Sequence, residues 1–584
     1  MVLDILRDSF FGQVVYYASS HKIFRYAEDQ PDYVIPAKYL GDSGRTSSVS
    51  TEVTTAAQEK PDDAASHSIA GSAQSEATIQ TQTPVAAADL EKNAEPEGDI
   101  AYQEAHDTDV PEGKIVVDWD GPDDPLNPYN WSFGKRAFII FQICYLTTSV
   151  YIGSAIYTPG ITEMRTEFGV GVAPAVLALS LFVFAYGLGP MILSPLSENP
   201  IIGRTNIYII SLFIFVVLEV PVALSKNLAS LLVLRFITGF FSSPALATGG
   251  ATIGDIVPLS RVPMGIALWG CAAVCGPSLG PLIGGVFTQV LNWRWAFWFL
   301  LMISGSSLVM LTFFLPETNG QTILYRKAQR LRRLTGNPNI TSRAEIEVSK
   351  MNFKEMMFDS LWRPIEIAFK EPIVLAINSY IALVYAVMYL WFEAFPIVME
   401  GLYGFNLIQT GVAYSGILVG CYLSGAMFVP LIYYRFTRPL EQGKAVVPES
   451  LMTPAIYGAV WMPIGIFIFA FTSTASVHWI VPIIGTAIFA YGAFFLFQSM
   501  FNYLGMSFYR FMASVFAGNA LFRSCFAAAF PLFASPMYNN LATSKFPVAW
   551  GCSIVGFLAV AMVSIPVVLR VNGKNMRARS KYAN

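Results

Sequence analysis

The chain has 584 residues, of which 54% are hydrophobic and only 13% charged. Soluble domains carry roughly 25% charged residues, so this composition excludes an ordinary water-soluble enzyme or binding module and points to a lipid bilayer. The formal net charge of -3 averages a polar N-terminal region with an apolar remainder, and gives no sign of a nucleic-acid partner.

In chain order, residues 1–40 mix apolar and charged side chains at helix-like spacing and predict a short amphipathic helix on the cytosolic side. Asp4, Arg7 and Asp8 interrupt any signal-peptide core. Residues 41–114 are rich in Ser, Thr, Ala, Glu and Asp and nearly free of aromatics, the composition of a disordered tail. Residues 115–136 form an acidic, proline-rich approach to the membrane. Twelve apolar stretches follow, each long enough to cross roughly 30 Å of hydrocarbon. They lie near 137–158, 172–193, 205–225, 228–249, 264–287, 296–315, 371–397, 409–434, 454–473, 479–504, 512–534 and 548–569. A charged central loop, 316–370, divides them into an N-terminal half (137–315) and a C-terminal half (371–569), and a basic tail, 570–584, closes the chain. With a cytosolic N-terminus, the inner loops and flanks hold 23 Lys and Arg residues and the outer loops four. The positive-inside rule therefore places both termini and the central loop in the cytosol.

The six cysteines all fall within apolar stretches and read as small buried hydrophobes. The four histidines lie in the N-terminal region and one short loop, so no metal site is expected within the membrane. Every Gly-Lys pair lacks the Ser or Thr that a phosphate-binding loop needs, which disfavours an ATP-driven pump. A membrane-embedded enzyme would need a cluster of catalytic groups, and the intramembrane charges are too dispersed to supply one.

Those charges are Glu219, Arg235, Glu393 and Arg523, each costly inside a bilayer unless paired or hydrated. Glu219 in span 3 and Arg235 in span 4 stand about 9 Å and about 12 Å from the outer ends of their spans, so an ion pair is feasible if they face one another. Glu393 follows Tyr385 and Tyr389 near the outer end of span 7. It suits either capture of cationic or amphipathic molecules or an interfacial position reaching outer water. Gln498, Asn502 and Tyr503 in span 10 could line a cavity or bond between helices, and Arg523 in span 11 is either a structural or a coupling charge. In the loop between spans 2 and 3, Glu198 and Arg204 could latch the cytosolic side by charge pairing. Span 5 contains Gly276-Pro277-Ser278-Leu279-Gly280-Pro281-Leu282-Ile283-Gly284-Gly285. Its glycines permit close helix approach and its prolines bend the helix.

The span-5 string resembles the antiporter signature of drug:proton antiporters in the major facilitator superfamily. The loop Ser197-Glu198-Asn199-Pro200-Ile201-Ile202-Gly203-Arg204 is similar to that superfamily's conserved loop in a fungal variant, without the commoner Asp-Arg pair. Leu231, Arg235 and Gly239 fit its span-4 motif. Asp118-Trp119-Asp120-Gly121-Pro122, Ser154-Ala155-Ile156-Tyr157-Thr158-Pro159-Gly160 and Leu315-Pro316-Glu317-Thr318 also resemble fungal multidrug facilitators. The resemblance runs from about residue 115 to about 570 and implies the fungal drug:proton antiporter-1 family, near the yeast pumps for azoles and benomyl.

It implies an all-α membrane protein with the major facilitator fold, in which two six-helix halves rock about a central site. It implies a non-enzymatic, plasma-membrane exporter of hydrophobic or amphipathic drugs, driven by the proton gradient without a cofactor and working as a monomer. On this resemblance Arg235 serves proton coupling; Glu219 and Arg523, as intramembrane charges, are expected to share that role, with structural pairing the alternative for each. Glu393, Tyr389, Tyr385, Gln498 and Asn502 are expected from their own chemistry and position to line the substrate cavity. Gly276, Gly280, Pro281, Gly284 and Gly285 form a seal against proton leak. Export of an endogenous secondary metabolite shares every motif; a transport-dead sensor has less need of an intact signature.

Overall fold

The computed structural model describes residues 2–30, 32–36, 39, 111, 113–350, 353–444, 446–508 and 511–583. The expected disordered tail, 41–114, lies outside the described residues except for 111, 113 and 114. Among the described residues twelve helical segments are long and apolar enough to cross a membrane. In chain order, spans 1–6 are Phe133–Phe168, Val172–Glu198, Arg204–Ala223, Leu228–Ile256, Val262–Val290 and Trp295–Phe314. Spans 7–12 are Pro372–Glu400, Leu407–Glu441, Pro448–Thr472, Ile480–Ser507, Met512–Leu541 and Ala549–Arg579.

Local chemistry sets where the spans begin. The Ser132 hydroxyl accepts from the Lys135 N–H ahead of span 1, and the Asn227 side chain accepts from the Ser230 N–H ahead of span 4 at 2.8 Å. Pro372 opens span 7, where a missing N–H costs nothing.

Packing repeats with a shift of six spans. Span 1 packs on span 5, span 2 on span 4 and span 3 on span 6. In the other half span 7 packs on span 11, span 8 on span 10 and span 9 on span 12. Across the halves, span 2 meets span 11 and span 5 meets span 8, pairs that exchange under the same shift. Internal pseudo-symmetry of this kind places a shared space at the interface of the repeats. The expected arrangement of twelve spans in two six-helix halves is present.

Both termini lie on the side of the central loop, here called the linker side. The loop holds helices Gly320–Thr335, Arg343–Lys350 and Phe353–Lys370. One small element departs from the all-helical reading. Strand β1 (Ile115–Val117) pairs in parallel with strand β2 (Ile340–Ser342), Ile115 opposite Ile340. Three-residue strands carry too little alternation to be read from sequence, and their pairing depends on a partner far along the chain. They cover a satellite core of Val117, Ile340, Ala328, Leu331 and Tyr39.

The N-terminal segment forms two short helices, Val2–Asp8 and Phe10–Ala18, joined at Ser9, whose hydroxyl accepts from the Gly12 N–H at 3.1 Å. They dock on the linker-side end of span 6, with Phe11 and Phe313 ring centroids 4.8 Å apart. Glu28 then grips Arg330 of the linker helix through both carboxylate oxygens (3.1 and 3.3 Å), and Asp29 pairs with Arg333. Lys327 on the same helix meets Asp120 at 2.8 Å and Asp124 at 3.5 Å. The Tyr16 hydroxyl donates to Asp29 at 2.7 Å, and burial together with that carboxylate pushes the phenol up to about 12.

Candidate functional site

A central cavity lies between the halves, walled almost entirely by apolar and aromatic side chains with a few polar groups among them, the kind of lining that suits organic molecules. Tyr151, Trp269 and Pro277 form its wall on the N-terminal half, and Tyr389, Phe494 and Phe497 do so on the C-terminal half. On span 10, Phe494, Phe497 and Phe501 recur at steps of three and four residues, so one helical face presents a continuous aromatic stripe to the cavity. That stripe was readable as a periodic pattern, but twelve apolar helices each have several such faces and nothing local says which one looks inward.

Of the residues expected to line the cavity, Tyr385, Tyr389 and Gln498 do so. The Gln498 amide lies across span 5 at Gly270, where any Cβ would collide with it. Its oxygen is buried and has no hydrogen-bond partner.

Glu393 and Asn502 are outside the wall. Glu393 sits one helical turn beyond Tyr389, half-buried. At that level Tyr414 stacks on Phe395 with centroids 4.1 Å apart and tilts against Phe392 at 5.7 Å, filling the space between spans 7 and 8. Asn502 turns back on its own helix, donating to the Gln498 carbonyl at 2.8 Å. A side-chain amide satisfied by its own backbone has little left to offer a ligand.

Arg523, expected to serve proton coupling, stands in the cavity wall. Its Nη1 donates to the Tyr385 hydroxyl at 3.2 Å, and its guanidinium lies 4.8 Å from the Tyr385 ring centroid and 5.7 Å from that of Phe497.

Arg235 and Glu219 are both fully buried in the N-terminal half. No hydrogen bond or ion pair joins them among the described residues. Arg235 turns instead toward spans 1 and 2, donating through Nη2 to the Gly153 carbonyl (2.7 Å) and through Nε to the Ala178 carbonyl (3.3 Å). Three rings surround it: Phe182 at 4.1 Å, Tyr157 at 5.3 Å and Phe297 at 5.7 Å. Carbonyl dipoles and aromatic faces stand in for a counter-ion. Both carboxyl oxygens of Glu219 are left without a partner.

The span-5 glycines work on two faces. Gly276, Gly280 and Gly284, one turn apart, let span 5 lie against span 1. A Cβ on Gly276 would come within 2.6 Å of the Tyr151 Cβ, and one on Gly284 would overlap the Ile156 carbonyl. Gly285 faces the other half, where a Cβ would come within 2.6 Å of the Leu407 carbonyl at the start of span 8. Gly411 answers from span 8, its Cβ position 2.9 Å from the Pro281 carbonyl. The motif therefore closes backbone on backbone against both halves, and Pro277 from the same run contributes to the cavity wall.

Arg204 pairs with Asp255 at the end of span 4 (Nε–Oδ2 2.5 Å, Nη2–Oδ1 3.2 Å) rather than with Glu198. Its backbone N–H also donates to Glu317 (3.2 Å), which accepts from the N–H groups of Thr318 and Asn319 as well. Sequence reading missed Asp255 and Glu317 as partners. The available signal was Asp255 itself, an acid placed where an apolar span meets the linker side. Glu198 shares a polar recess with Arg204 and Asp255, without a direct hydrogen bond to either.

Set against known proteins, residues 143–531 match the family profile of the Major Facilitator Superfamily. The chain is 46% identical over 583 residues to the "Cycloheximide resistance protein" of Candida maltosa, covering 99% of each chain. It is 47% identical over 473 residues to "Transporter mfs1" of Schizosaccharomyces pombe, covering 81% of this chain and 89% of the relative. It is 43% identical over 466 residues to "Fluconazole resistance protein 1" of Saccharomyces cerevisiae, covering 80% and 84%.

Proposed function

The chain belongs to the major facilitator superfamily, among fungal drug-resistance transporters, and from that premise we propose that it is a proton-coupled antiporter exporting hydrophobic or amphipathic toxicants from a fungal cell. The observation that carries this reading is the aromatic cavity shared by both six-helix halves. A space built from two repeats opens to either side as the repeats rock, and an apolar wall takes amphipathic cargo with little directional bonding. The names of the relatives point to cycloheximide and azoles as cargo to test first.

The linker side faces the cytosol in this reading, which the excess of Lys and Arg on that side supports. The membrane is the plasma membrane, where export removes a toxicant from the cell. The protonation step falls to the N-terminal half. Glu219 is fully buried with neither carboxyl oxygen hydrogen-bonded, so its charge is costly there and proton uptake removes that cost. Proton release toward the cytosol would create a charge that draws Arg235 out of its aromatic cage. That shift links the proton to the packing of spans 1, 2 and 6, which hold the cage.

The test is efflux of a fluorescent azole-like compound or dye from reconstituted vesicles under an imposed pH gradient. Efflux should rise with the gradient and collapse when an ionophore dissipates it; efflux that ignores the gradient would refute antiport. Glu219→Gln should leave the protein folded and equally able to bind cargo, while the response to the gradient falls at least tenfold. Arg235→Ala should abolish coupled efflux with the protein still at the membrane, and unchanged transport would remove its assigned role.

A further inference from the structure

The charge chemistry of the central cavity narrows its cargo. Its wall contains one charged side chain, Arg523, and no acidic one. Glu393, the acid expected there, is shut out behind the aromatic cluster of spans 7 and 8, and Glu219 is enclosed in the N-terminal half. Arg523 has no carboxylate partner among the described residues. Its one hydrogen bond is from Nη1 to the Tyr385 hydroxyl, leaving Nε and Nη2 uncommitted. The side chain is 5% exposed, so its charge is poorly screened by solvent.

Aromatic walls ordinarily attract organic cations through the ring faces. Here the guanidinium itself lies against Tyr385 and Phe497, so the protein's own cation already occupies those two faces. A second cation would meet like charge in a medium of low polarity. Gln498 adds the complementary group, a buried amide oxygen that bonds to nothing and can accept a hydrogen bond from cargo.

Resting on the exporter reading above, we propose that this cavity selects cargo by charge. It takes neutral and anionic aromatic compounds that carry a hydrogen-bond acceptor, and it disfavours organic cations, with Arg523 as the specificity-determining residue. The acceptor (a carbonyl or carboxylate oxygen) engages the free guanidinium nitrogens of Arg523, and a donor on the same molecule reaches Gln498.

Three derivatives of one diethylaminocoumarin test this: the carboxylate, the neutral methylamide and a trimethylammonioethyl amide, which share a fluorophore and differ in charge. Their binding to the purified full-length protein is read by fluorescence in nanodiscs at neutral pH without any gradient. The carboxylate and methylamide should each bind at least tenfold more tightly than the cation, a difference of about 1.4 kcal/mol. Arg523→Gln should weaken the carboxylate about tenfold, leave the methylamide within about threefold, and reduce the discrimination against the cation. Gln498→Leu should weaken the methylamide more than the carboxylate. A cation that binds the wild-type protein as tightly as the carboxylate overturns the proposal, as does failure of all three probes to bind or carboxylate affinity untouched by Arg523→Gln. The wild-type ranking stands as a test even if that variant does not fold. Because binding is measured without a gradient, efflux blind to pH with the ranking intact would sink antiport and leave charge selection in place.

Discussion

Arg204, at the start of span 3, holds the end of span 4 through both oxygens of Asp255. A basic side chain after a glycine at the start of span 3 announces an ionic contact, and the contact exists, but with Asp255 in place of Glu198. Glu198 is close in sequence, whereas Asp255 is brought close by the packing of span 4 beside span 3. The two acids are therefore expected to differ on substitution. Removing one member of a largely buried pair strands the other, so Asp255→Ala should cost about 2–3 kcal/mol, reduced from the fully buried case because its side chain is partly exposed. Glu198→Ala should cost under about 1 kcal/mol. Melting temperatures of the purified variants decide between them, and equal losses would return Glu198 to the latch. Arg235 carries the same lesson: its charge was plain from the sequence, while its aromatic cage was not, because Phe182, Tyr157 and Phe297 come from three other spans.

Span 5 is the element whose reading transferred most directly. Glycines one turn apart can be seen in the string, and the structure shows what that ridge meets: backbone of span 1 along Gly276, Gly280 and Gly284, and of span 8 at Gly285. A ridge in contact with both halves is suited to hold a seal while the halves move. Gly284→Val forces a side chain into the Ile156 carbonyl and should destabilise the protein by about 1–3 kcal/mol, with span 1 pushed away from span 5. In vesicles without cargo, the same variant should show faster decay of an imposed pH gradient. Decay at the wild-type rate would mean that the ridge packs helices without sealing them. Span 10 is the contrary case. Its aromatic stripe is as regular as the glycine ridge, yet only the fold shows that this face borders the cavity.

At the level of the whole molecule, the N-terminal segment and the central loop form one linker-side assembly, held by Glu28–Arg330, Asp29–Arg333, the Lys327 contacts and the β1–β2 pair. The linker helix continues from the end of span 6, so this assembly ties the N-terminus to the junction of the two halves. Glu28 and Arg330 are 3% and 7% exposed, so their contact is a largely buried link in that tie. Arg330→Ala should strand Glu28 and release the segment, seen as protease cleavage within residues 2–36 at least tenfold faster than in the wild-type protein, with the twelve spans intact. Unchanged cleavage would show that the apolar contact of Phe11 with Phe313 suffices to hold it. Hydropathy and charge, read along one dimension, were enough to count twelve spans and divide them six and six, because membrane insertion imposes length, apolarity and charge asymmetry on each segment separately, and glycine spacing alone marked the span-5 ridge. Which buried charges meet, which acid is excluded from the cavity, and that Arg523 rather than Glu393 lines it were settled by helix packing. Those outcomes depend on the rotation of each span against neighbours far away in the chain, and no local pattern records that rotation.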